Sequence, residues 1–219
     1  MANYLTTDTD LTAVANAIRS KGGTSEPLFF PHGFVDAIDA IEAGNPLEVL
    51  VRYLNNETVN QLVVPGVTRL RGDNTFGCWP NLQSLIMPDV TAVGTRGLYK
   101  MTNMKKLVLP SLLSVAADGF RDIRGSAGGV CVMDLGQCAS LGAFAINSCY
   151  NKAFIFRKTD GICVANNSTS IESISAVRPA YVPQALLNEY QNATNWSAKA
   201  SAILPIEGSP YEDPDWWKE

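Results

Sequence analysis

Histidine is nearly absent from this chain of 219 residues: His32 stands alone, after Pro31, where an interhelical turn is expected. One imidazole cannot build a multi-histidine metal centre, and it leaves little room for histidine acid–base chemistry. Cysteine is uncommon too. The five are Cys78, Cys131, Cys138, Cys149 and Cys163, an odd number with no Cys-x-x-Cys, which argues against zinc. No apolar run approaches the ~18 residues of a membrane span. The opening MANYLTTDTD has neither the basic nor the apolar region of a secretory leader, so assembly in a cytosol is expected. G-x-S-x-G, the Walker loop, G-x-G-x-x-G and H-E-x-x-H are all missing. The glycine-rich Gly125-Ser126-Ala127-Gly128-Gly129 lacks the Lys-Ser/Thr of a phosphate loop and reads as a bulge between structural units. Asp118, Asp122 and Asp134 lie near one another in sequence, but on separate positions of the pattern described below. The expectation is a protein that is not an enzyme and takes no cofactor or metal.

Charged residues make up only 17% of the chain, and they are segregated. Residues 1–45 carry six acids against Arg19 and Lys21, and residues 207–219 carry five acids against Lys218. Residues 46–206 carry ten acids and fourteen bases. A basic middle this weak does not predict nucleic-acid binding.

The first 45 residues predict a helical hairpin. Asp10 can cap a helix whose apolar residues Leu11, Val14, Ala15 and Ile18 share one face, ending at Gly22-Gly23. A second helix carries Phe34, Val35, Ile38 and Ile41 and stops before Gly44-Asn45-Pro46. Two stripes bury too little for independent stability, so the hairpin must cover a neighbouring layer or attach to another chain. Leu28, Phe29 and Phe30, between the helices, either pack inside the hairpin or, with Phe34, form an attachment patch.

Between residues 46 and 183 the chain repeats. With Pro65, Pro88, Pro110, Gly136, Arg157 and Pro183 set to zero, the spacings are 23, 22, 26, 21 and 26. Position minus three holds Leu62, Leu85, Leu107, Met133, Phe154 and Ala180; minus one holds Val64, Met87, Leu109, Leu135, Phe156 and Val182. Further apolar positions recur at plus two, plus five (Leu70, Val93, Val115, Leu141), plus ten (Leu98, Phe120, Ile146) and plus thirteen (Cys78, Met101, Ile123, Cys149). Recurrence at about 23 residues predicts a repeat solenoid: short parallel β-strands joined by loops and turns around one continuous core. The proline belongs where ladder bonding stops. Cys78, Cys138 and Cys149 share positions with valine, leucine, isoleucine and methionine, so they are expected as buried hydrophobes. Cys131 and Cys163 fall outside the pattern.

Residues 184–206 predict a C-terminal helical cap, with Ala185, Leu186, Leu187, Tyr190 and Trp196 facing the last repeat. The acidic tail 207–219 contains two prolines and Trp216-Trp217. It is either poorly ordered or docked on a basic patch or a partner. Arg96, Lys100, Lys105, Lys106 and Lys152 either form a solvated face or align as a site for an acidic partner.

The segments NLQSLIMPDVTAVGTRGLYKM and NMKKLVLPSLLSVAADGFRDI resemble the BspA-like (Treponema pallidum type) leucine-rich repeats. Gly136 and Arg157 depart from that pattern at the proline position. The end, AYVPQALLNEYQNATNWSAKASAILPIE, is similar to the closing unit of such proteins in gut Firmicutes and their prophages. The opening, LTAVANAIRSKGGTSEPLFFPHGFVDAIDAI, resembles a helical module of phage tail and other virion proteins. The resemblance implies a non-enzymatic, virion-associated protein of tail-fibre or tail-tip type, assembled in the host cytoplasm. It would bind other virion proteins or a host surface, and the resemblance also allows a homo-oligomer. The alternative is an intracellular prophage effector of anti-defence type that binds a host protein. A surface adhesin is disfavoured by the missing export signal.

Overall fold

A computed structural model of the chain describes residues 61–72, 82–124 and 131–218. The chain separates into two units, Met1–Glu48 and Val49–Glu219, and every described residue lies in the second. The expected hairpin, with His32, Leu28, Phe29, Phe30 and Phe34, lies outside the described residues, as does Cys78.

The described part is an α/β fold with few helices and short parallel strands in two sheets. The strands in chain order begin with β1 (Gln61–Val63), β2 (Arg69–Leu70), β3 (Ser84–Ile86) and β4 (Ala92–Val93). Next come β5 (Lys106–Val108), β6 (Ser114–Val115), β7 (Cys131–Asp134) and β8 (Ser140–Leu141). The last four are β9 (Asn151–Ile155), β10 (Val164–Ala165), β11 (Ala180–Val182) and β12 (Ile203–Pro205). One sheet has the order β1-β3-β5-β7-β9-β11-β12, the other β10-β8-β6-β4-β2, and neither closes into a barrel.

The recurring positions of the sequence are neighbours in space. Across the larger sheet Leu62 pairs with Leu85, Leu85 with Leu107, Leu107 with Met133, Met133 with Phe154 and Phe154 with Ala180. Across the smaller sheet Leu70, Val93, Val115 and Leu141 pair in turn, and Leu141 meets Ala165. These residues, with Leu98, Phe120, Ile146, Ile123 and Cys149, form one buried cluster between the sheets. Each large side chain removed from water there contributes about 1.5–3 kcal/mol. The parallel register follows from the spacing. A strand that recurs every 21–26 residues leaves enough chain to cross to the second sheet and return beside itself.

The corners repeat as well. Eight residues after the proline position, Arg96, Asp118 and Phe144 have φ of 58°, 57° and 55°; four residues later Lys100, Asp122 and Ser148 have 60°, 60° and 53°. Left-handed backbone at a non-glycine residue costs on the order of 1 kcal/mol or more. Stacking offsets it: the amides of Asp118 and Asp122 donate to Ala143 and Asn147, and that of Lys100 to Arg121. Gly136, which replaces the proline, also has positive φ (46°), and a Cβ there would meet the Pro110 carbonyl oxygen at 2.2 Å. The departure from the sequence pattern at this position is therefore a steric requirement of the stack.

The expected cap is less helical than its pattern implied. Gln184–Leu186 is a 3-10 turn, α1 (Leu187–Asn192) is six residues long, and Ser197–Ala202 is again 3-10. Ile203–Pro205 is a strand, β12, which extends the sheet beyond β11, so the ladder runs past residue 183 into the predicted cap. Period-two burial explains the difference: Ile203 is buried while Leu204 is 38% exposed. Tyr190 and Trp196 are fully buried, Leu186 and Leu187 pack against the core, and Ala185 is exposed rather than core-facing. Cys163 explains why two polar aromatics suit this place. Its amide donates to Tyr190 Oη at 2.8 Å, and its carbonyl accepts from Trp196 Nε1 at 2.8 Å.

Candidate functional site

Side chains alternate along a strand, so the larger sheet has a second face turned away from the core. One row across it runs Gln61, Ser84, Lys106, Val132, Ala153; the next runs Val63, Ile86, Val108, Asp134, Ile155, Tyr181, Leu204. In its middle Val132, Ala153 and Ile155 form a second apolar cluster with Ile206 and Tyr211, joined by Tyr181 and Trp216. The acidic tail supplies two of these residues. It lies on this face of its own chain, on an apolar floor rather than on the basic patch or partner expected for it.

Asp134 sits at the centre of the dock and is 1% exposed. A buried carboxylate needs donors, and three converge on it. Gly136 N donates to Oδ1 at 3.1 Å, and Arg157 Nε and Trp216 Nε1 donate to Oδ2 at 2.8 and 3.1 Å. The rest of the Arg157 guanidinium points along the tail and donates to the carbonyls of Tyr211 (2.8 Å), Glu212 (3.3 Å) and Asp213 (3.4 Å). One side chain thus ties the sheet to three consecutive tail peptides, a use for which the planar five-donor fork is suited. Tyr211 meets Tyr181 and Trp216 edge to face, with centroids 5.2 and 5.4 Å apart. Burial raises the Tyr211 phenol above its ordinary range, with the neighbouring Tyr181 adding to it.

The basic candidates divide. Lys106 donates to the Trp217 carbonyl at 2.8 Å and lies 5.8 Å from the Trp216 ring centroid. Lys105, Lys106, Lys218 and Trp217, with the polar Gln61, Gln83 and Ser84, line a cavity of about 380 Å3 where the tail ends on the sheet. Three ammonium groups around one opening attract an anionic group. Arg96, Lys100 and Lys152 do not line it. Arg96 and Lys100 are exposed at the left-handed corners, with Lys100 5.0 Å from the Tyr99 ring. Lys152 is the extra residue where the β7–β9 register shifts between Cys131 and Val132.

Sequence reasoning missed Asp134, Arg157, Tyr181 and Tyr211 as parts of one site. A signal was present: Arg157 occupies a position that proline holds in four of the six units. Tyr150 was missed as well. It is 47% exposed, with the guanidinium groups of Arg124 and Arg178 at 5.1 and 4.8 Å from its ring.

The four described cysteines are buried, Cys131 and Cys163 included. Desolvation pushes the Cys131 thiol up and raises Cys149 to about 12. Cys163 is raised by its hydrogen bond with Cys138, 3.7 Å away between sulfurs, and by burial. Thiols held protonated are poor nucleophiles. Among the described residues no group of three or more potential ligands could hold a metal ion, and no helix is long and apolar enough to cross a membrane. Comparison with known proteins finds no matching family model, no similar curated protein and no similar solved structure.

Proposed function

We propose that the chain is a non-enzymatic recognition protein, a short leucine-rich repeat solenoid of BspA type that binds protein through the outer face of its larger sheet. The observation that carries the reading is that this face already holds a peptide. Aromatic side chains, a buried Asp134–Arg157 pair and Lys106 together grip residues 211–217. A surface that can order an acidic segment of its own chain has the chemistry to bind one from elsewhere. The solenoid reading is supported by the pairing of equivalent positions along both sheets and by the recurrence of the left-handed corners.

The setting we propose is a phage virion, with residues 1–45 as the attachment module and the repeats presented outward. This rests on the resemblance of the opening segment to helical modules of phage virion proteins. Mass spectrometry of purified particles from the phage encoding the chain tests it. The chain is expected at structural copy number. Its absence from particles, with co-purification of a host protein from infected cells, would instead make it an intracellular effector.

A further inference from the structure

We propose that the outer face across β7, β9 and β11 is a site for acidic peptides bearing two aromatic residues five positions apart, and that the chain's own tail is its resident, exchangeable occupant. The inference deepens the reading above, since it names the partner chemistry of that same face.

Three observations carry it. First, the tail is held as peptide ligands are held. Its backbone carbonyls are read by Arg157, and its side chains Tyr211 and Trp216 fill an apolar floor of Val132, Ala153 and Ile155. Second, the donors that hold the tail are cations and the tail is acidic. Residues 207–219 carry five acids; Lys106 donates to the Trp217 carbonyl, and Arg157, whose charge Asp134 balances, donates to three tail carbonyls. Third, the tail is separable from the fold. The ladder ends at β12, Ile206 N donates the following bond to Val182 O, and the segment then turns at Gly208 with φ of 77°. Beyond that turn Tyr211 alone is buried, and Trp216 and Trp217 are half-buried. A Tyr–Trp pair this far from the interior core can leave without opening it.

Attachment through a short linker gives the resident segment an effective concentration of about millimolar, so a free peptide of equal intrinsic affinity competes poorly while the tail is in place. A partner that displaces it needs better contacts or many copies, as an array of identical subunits would present.

The test uses the full chain and a fluorescent synthetic peptide of residues 207–219. Wild type is compared with a Tyr211→Ala/Trp216→Ala variant, whose tail has lost its two anchors. The variant is expected to bind the peptide at least ten-fold more tightly than wild type, and a peptide carrying the same two alanines is expected not to bind. Equal binding by the two proteins, or binding by neither, overturns the proposal. A second measurement needs no variant. Millimolar peptide with an amidated C-terminus, added to wild type, should expose the tail to carboxypeptidase and speed the shortening of the intact protein followed by mass spectrometry; an unchanged rate overturns exchange. Presence or absence in virions bears on the setting alone, so the two readings fail separately.

Discussion

Two tyrosine–tryptophan pairs lie near the C-terminus, and they do opposite work. Tyr190 and Trp196 meet edge to face at 4.9 Å, and Tyr211 and Trp216 at 5.4 Å. Each indole donates one hydrogen bond, Trp196 to the Cys163 carbonyl and Trp216 to the Asp134 carboxylate. The first pair is fully buried and packs on Phe156, closing the open end of the interior core. The second lies across the outside of the sheet, held by hydrogen bonds from Arg157 and Lys106 as well as by apolar contact. The same two side chains therefore build a permanent layer when their polar atoms meet backbone inside the core. They build a removable one when their partners are side chains on the outer face of the sheet.

The largest effect of a single substitution should come from Trp196→Ala. Removing a fully buried indole leaves a cavity and an unpaired Cys163 carbonyl, at a cost of about 3–5 kcal/mol. Chemical denaturation should show a midpoint shift of that size, with hydrogen exchange fastest in β10 to β12. A loss below about 1 kcal/mol would mean that the first pair is as peripheral as the second.

Alkaline pH should act as well, chiefly on the buried region. The thiols ordinarily ionise at 9.0, and burial holds Cys149 at about 12 and Cys131 well above its ordinary value; burial likewise raises Tyr190 well above its ordinary 10.0. Between those limits the unfolded chain has released protons that the folded chain retains. Folding stability is then complete below pH 9 and falls as pH rises, by about 1.4 kcal/mol per unit for each such group. Thermal melts from pH 8 to pH 11 should show a progressive drop. Phenolate absorbance from Tyr190 should appear only with unfolding. A melting temperature flat to pH 11 would contradict the burial of these groups.

Trp216→Ala should cost less, about 1–2 kcal/mol, because the ring is half-buried and Asp134 keeps Arg157 and the Gly136 amide as donors. Chymotrypsin should then clip the tail after Tyr211 while residues 131–206 stay protected. Global unfolding at the cost of Trp196→Ala would show that the tail is part of the core.

The interior was legible in the sequence and the outer face was not. Leu85, Leu107, Met133 and Phe154 announced themselves because stacking puts the same demand on the same position about every 23 residues. The hidden positions of Cys131 and Cys163 were illegible because each lies just outside that period, Cys131 at a register shift and Cys163 just before β10. The dock joins residues 54 to 111 apart through single, unrepeated contacts, Arg157 to Tyr211, Asp134 to Trp216 and Lys106 to Trp217. No period marks such contacts. Their trace is where the pattern breaks, at Gly136 and Arg157. The cap misled for a related reason: its apolar spacing suits a helix, yet Ile203–Pro205 can pair with β11, and added ladder bonds outweigh weak propensity in so short a segment.

The smallest effect offers the sharpest test of the outer face, because it compares adjacent residues. Lys105 is exposed, and its amide donates to the Gln83 carbonyl at 2.6 Å, a bond that survives any change of side chain. Lys106 starts β5 and reaches across to the Trp217 carbonyl and the Trp216 ring. A charged hydrogen bond with a half-exposed cation–π contact is worth roughly 1 kcal/mol once solvent screening is counted. Lys106→Ala should therefore loosen the tail by about that amount, seen as faster exchange of the Trp216 indole proton by NMR and a five-fold rise in carboxypeptidase release. Lys105→Ala should leave both unchanged, while both variants remove one positive charge from the cavity. If the two act alike, general charge attraction holds the tail, and the specific geometry around Lys106 does not.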